Sequence, residues 1–60
     1  MLPNDPYILF SYINTKLRDT YTSLEELCKS ENSDINVICE RLEAIGMHYS
    51  SEKNSFVKDI

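Results

Sequence analysis

Sixty residues, 42% of them hydrophobic and 27% charged, with a net charge of −4, describe one globular domain and exclude a disordered chain. At this length only about 60% of the unfolded chain's surface leaves water on folding, so a second copy or a staple is expected to help hold the fold. No apolar run reaches the roughly 20 residues of a bilayer span; the opening Met1-Leu2-Pro3-Asn4-Asp5 has no basic leader segment, and a cytoplasmic location is the expectation.

One glycine and two prolines leave little for a loop-rich fold, which makes helix the default. Pro3-Asn4-Asp5-Pro6 reads as a helix entrance, with Asp5 capping and Pro6 at the first helical position, where a missing N–H costs nothing. The first predicted helix spans about 6–20, and at roughly a hundred degrees per residue Leu9, Phe10, Ile13, Leu17 and Tyr21 share one arc. Ile8 and Tyr12 fall outside it, one turn apart. Ser11, Asn14, Thr15 and Arg18 form a polar strip between the two apolar surfaces.

Ser23 and Glu26 have capping-box spacing, as do Thr22 and Glu25. The second helix is predicted over about 24–30, with Leu24, Leu27 and Cys28 inward. Glu31-Asn32-Ser33 reads as a tight turn, Asn32 being best suited to a left-handed conformation. Asp34 is expected to cap a third helix over about 35–45, closed by Gly46. Ile35, Ile38, Cys39, Leu42 and Ile45 form its inner arc; Asn36, Val37, Glu40, Arg41, Glu43 and Ala44 face out. From Met47 the period changes towards alternation, which predicts a hairpin over about 47–57 with a polar loop at Ser50–Asn54. Lys58-Asp59-Ile60 are expected to fray.

Chemistry-bearing residues are few. Cys28 and Cys39, with His48 the single histidine, match no metal-ligand spacing. Both cysteines occupy apolar helix positions and are read as small core residues. His48, in the hairpin with no nucleophile beside it, reads as a surface residue. No serine–histidine–acid spacing, glycine-rich phosphate loop or metal motif occurs, so the expectation is a non-enzyme without metal or cofactor.

The run Ser23 to Cys28, Asn32 in the turn, then Ile38, Leu42, Ile45 and Gly46 resembles a winged helix-turn-helix over residues 22–57. Met47 to Val57 would be the wing. The turn departs from that pattern at Glu31 and Ser33, where apolar residues are usual, and Ile35 is the expected replacement plug. The resemblance implies a mainly α, three-helix domain with a short C-terminal β-hairpin. Leu2-Pro3-Asn4-Asp5-Pro6-Tyr7, Asn14-Thr15-Lys16-Leu17-Arg18-Asp19 and Ser23-Leu24-Glu25-Glu26-Leu27-Cys28, continued through Ile45-Gly46 and Asn54-Ser55-Phe56, make the chain similar to a family of short bacterial proteins known as a domain of unknown function. That likeness implies a bacterial, cytoplasmic protein and carries no site residues with it.

Two functions follow as expectations. The first is a self-associating protein-interaction module, a homodimer built on the first helix through Ile8 and Tyr12, with room for another protein partner. The ordinary alternative for those side chains is cover by a folded-back Met1-Leu2-Pro3. The second is a small DNA-binding regulator using Asn36, Arg41 and the hairpin. Nucleic acid is disfavoured because the six basic residues are dispersed while Asp34, Glu40 and Glu43 flank the recognition face. The strip Ser11, Asn14, Thr15 and Arg18 is the polar face to inspect. An asparagine and an arginine one turn apart can hold a carboxylate or phosphate; otherwise the strip is a wet surface with Arg18 paired to Asp19 or Glu25.

Overall fold

The computed structural model describes residues 2–59; the readings placed on Met1 and Ile60 lie outside them. Three helices, α1 (Pro6–Asp19), α2 (Leu24–Glu31) and α3 (Ile35–Glu43), precede an antiparallel hairpin of β1 (Met47–Ser50) and β2 (Ser55–Lys58). The arrangement is the mainly helical one expected and is consistent with a winged-helix-like domain.

Local chemistry accounts for each helix boundary. Asp5 accepts from the amides of Tyr7 (2.8 Å) and Ile8 (3.4 Å), and Pro6 opens α1. Ser23 caps α2 through the Glu26 amide at 3.1 Å. The return arm of the box is displaced by one residue: Glu26 Oε1 accepts from the amide of Thr22 at 2.8 Å, not from Ser23. Asn32 ends α2 at φ 56°, ψ 45°, while the Ser33 amide bonds back to Cys28 O at 2.8 Å; this six-residue closure is a Schellman turn with asparagine in the usual glycine place. Asp34 caps α3 through the Asn36 amide at 2.8 Å.

α3 ends two residues before the expected Ile45. The amides of Ile45 and Gly46 reach only three residues back, to Leu42 O and Glu43 O, tightening the last turn. Gly46 then takes φ +80°, a region glycine enters without steric cost.

Every element contributes to one core. α1 supplies Leu9, Ile13 and Leu17; α2 gives Leu24, Leu27 and Cys28; α3 adds Ile38 and Leu42, and β2 brings Phe56, all buried. Leu2, Phe10, Tyr21, Cys39, Ile45, Met47 and Tyr49 pack around them half-buried. Both cysteines are free, and burial pushes each thiol upward from its ordinary pKa, with neighbouring Cys39 adding to the shift of Cys28 and Glu43 to that of Cys39.

Two expectations about packing are corrected. Ile35, the first residue of α3, is 37% exposed and does not fill the plug position expected of it. Tyr12 is half-buried against the core, not on the far side with Ile8. Its hydroxyl donates to Glu31 Oε1 at 3.3 Å while Tyr21 donates to Oε2 at 3.2 Å, so two tyrosines of the first segment capture the last residue of α2. Burial, then the Glu31 charge and hydrogen bond, raise the Tyr12 phenol above its usual pKa.

The hairpin pairs within the chain, Tyr49 opposite Phe56 and His48 opposite Val57. β2 lies along α1 and β1 along α3. The Tyr49 and Phe56 rings meet at 5.6 Å and 56°, a tilted cross-strand pair. The Tyr49 hydroxyl accepts from the Leu24 amide at 3.3 Å and donates to Asn54 Oδ1 at 2.7 Å, satisfying an orphan donor at the start of α2. Lys58 and Asp59 do not fray: Lys58 closes β2, the Asp59 amide bonds Gly46 O at 2.7 Å, and the Asp59 carboxylate pairs with His48.

Candidate functional site

The polar strip of α1 meets the hairpin. Asn14 turns towards β2, its Oδ1 accepting from the Phe56 amide at 2.7 Å and its Nδ2 donating to Phe56 O at 3.0 Å. Phe56 is buried, so Asn14 satisfies both backbone groups of a core residue that the ladder leaves facing α1. Asn54 does the same one turn on. At φ 50° it directs Nδ2 to Leu17 O (3.2 Å) and Tyr21 O (3.0 Å), carbonyls that the end of α1 would otherwise leave unpaired. Two asparagines thus fasten the hairpin to the first helix.

Between these clamps and the exposed side of α1 runs an open groove of about 620 Å³, bordered by Ser11, Thr15 and Arg18 on the helix and by Lys53 and Ser55 on the hairpin. Phe10, Leu17, Asn14 and Asn54 complete its lining. All four residues of the predicted strip therefore share one groove. Their roles differ: Asn14 is structural, and Arg18 forms a two-point pair with Asp19 at 2.9 and 3.1 Å. That hydrogen bond, and then the opposite charge, raises the pKa of Arg18; the bond from Arg18 lowers that of Asp19. Both side chains are largely exposed, so the pair is a weak one.

Lys53, Asn54 and Ser55 belong to this site although the sequence marks the first two only as loop and Ser55 only as part of the hairpin. The one local signal was an asparagine closing a polar loop, a residue type that tolerates the left-handed conformation.

The other expected contacts separate. Ile8 stands 58% exposed beside Tyr7 at 67%. The segment Leu2–Asn4 folds back, but towards α3, where with Leu9, Val37 and Ile38 it lines a cleft of about 220 Å³. Arg41, a candidate for reading DNA, donates to Asn4 O and Oδ1 at 3.3 Å each and so ties that segment down. Asn36, Glu40 and Glu43 remain on the exposed face of α3. No helix among the described residues is long and apolar enough to cross a membrane.

Three helices and a docked two-stranded antiparallel hairpin make a small, mainly helical domain, an arrangement consistent with a winged-helix-like fold. The chain belongs to the family described as Domain of unknown function (DUF4250), which matches residues 3–56. No curated protein matches it, and no solved structure does.

Proposed function

We propose that this DUF4250 chain is a non-catalytic, self-associating protein-interaction module of the bacterial cytoplasm, a homodimer joined across the first turns of α1. The observation that carries the reading is the pair Tyr7 and Ile8, adjacent large side chains left 67% and 58% exposed in a domain whose other long apolar residues mostly turn inward. Burying them against a second copy adds apolar area where a sixty-residue core has least to spare. A two-fold contact between identical patches is the simplest closed assembly. Two free cysteines suit a reducing compartment.

The DNA-binding alternative draws no comparable support. Arg41 is engaged by Asn4, and Glu40 and Glu43 share the exposed face of α3, where carboxylates repel phosphates.

Tyr12 is unsuited to the test because its ring and hydroxyl serve the fold, so Ile8→Lys is the variant of choice. Analytical ultracentrifugation of the wild-type chain is expected to give twice the mass of one copy, and Ile8→Lys the mass of a single folded copy. A wild-type mass of one copy at tens of micromolar, or an unchanged mass for folded Ile8→Lys, overturns the proposal.

A further inference from the structure

The chain is acidic overall, with six Lys and Arg side chains against ten Asp and Glu, yet two of those six cations border a single groove. Arg18 and Lys53 come from elements far apart in sequence and line the same trough between α1 and the hairpin loop, together with Ser11, Thr15 and Ser55. Among the described residues no carboxylate lines it, although Asp19 is bound to Arg18. Among the described residues, the three hydroxyls and the Lys53 ammonium have no hydrogen-bond or ion-pair partner. Asn14 and Asn54, also in the lining, already spend their amides on the backbone of Phe56, Leu17 and Tyr21.

We propose that this groove is an anion site that receives a glutamate- or aspartate-rich segment of a partner protein. Its carboxylates are held between Arg18 and Lys53 and accept from the free hydroxyls of Ser11, Thr15 and Ser55. Arg18 binds Asp19 through Nε and Nη2, so Nη1 is open to a ligand, and release of an exposed pair costs little. Half-buried Phe10 in the lining suits the methylene stem of a glutamate. The groove lining includes neither Tyr7 nor Ile8, although Ser11 stands one turn from both on α1, and this proposal does not rest on the dimer.

The test is a set of amide chemical-shift titrations of the whole chain with hexaglutamate, inorganic phosphate and a short oligothymidylate. Saturable shifts confined to Ser11, Thr15, Arg18, Lys53 and Ser55 are expected with hexaglutamate, and added salt should weaken them. The double variant Arg18→Ala, Lys53→Ala is expected to bind at least about tenfold more weakly, the loss of one charge-assisted hydrogen bond being worth about that factor. Asp19→Asn removes the internal competitor for Arg18 and is expected to bind hexaglutamate more tightly than the wild type. Preserved dispersion at Phe56 shows that a variant is folded. Equal binding by the folded double variant, or shifts centred on Lys29 or Lys58, overturns the site. Phosphate binding without hexaglutamate binding, or tighter binding of oligothymidylate, overturns the acidic-protein ligand.

Discussion

Asn14 shows how much one polar side chain can hold in a small domain. Its two hydrogen bonds go to the amide and carbonyl of buried Phe56, so Asn14→Ala strands a donor and an acceptor together. Each unsatisfied group costs about 1–3 kcal/mol, and the variant is expected to lose about 2–4 kcal/mol in urea denaturation. Asn14→Asp keeps the acceptor and loses the donor, so its loss should be smaller at low pH, where the carboxylic acid regains a proton to donate. Leu27 makes the apolar counterpart. It is fully buried, and truncation of such a leucine costs about 2–5 kcal/mol. Domains of this size rarely have more than about 3–5 kcal/mol to lose, so Leu27→Ala should show the circular dichroism of a largely unfolded chain.

At the scale of elements, helix ends are the features the sequence states most openly. Asp5, Ser23, Asn32 and Asp34 act on amides or carbonyls within a few residues, and short-range chemistry needs no knowledge of the fold. Asn32 holds a left-handed conformation that costs a side chain with a β-carbon about 1 kcal/mol. Asn32→Gly is accordingly expected to raise the thermal midpoint and Asn32→Ala to lower it, both read by calorimetry. Long-range contacts were not legible in the same way. Tyr12 fell off the hydrophobic arc on a helical wheel, yet a carboxylate nineteen residues on draws it in; Asn14 and Asn54 looked like solvent-facing polar residues although their partners are buried backbone. Ile35 departs in the other direction: periodicity places it on the inner arc, yet at the first turn of α3 it stays 37% exposed. The polar strip is legible in the sequence but its use is not: Lys53 from the hairpin loop and Ser55 from the start of β2 complete the groove, and only the folded chain places them there.

Across the whole molecule, several ionisable groups rest in environments that favour their neutral forms. Burial raises the thiols of Cys28 and Cys39 from an ordinary value of 9.0, and burial with Glu31 raises the phenol of Tyr12 from 10.0. For each, the folded chain keeps its proton to higher pH than the unfolded one does. Their contribution is therefore fully present below the unfolded values and is lost as pH rises through the folded ones. The urea midpoint is expected to hold steady across neutral pH and to fall above about pH 9, and Cys28→Ala should remove part of that fall. Raised thiols also predict slow reaction of the native chain with an aromatic disulfide reagent at neutral pH, accelerating once urea exposes them.

The two asparagine clamps also set an order of events. Residues 14 and 56, and 17 and 54, meet across most of the chain's length, so the loops that must close before these bonds form are among the longest the protein has. A growing chain that has released all three helices still lacks Phe56, and the face of α1 that receives it stays open. The helices of a 1–46 fragment are accordingly expected to flicker without a cooperative melting transition, and one to appear only when the segment through Lys58 is restored. Folding of this domain would then be completed at its C-terminal end, with the last strand acting as the latch.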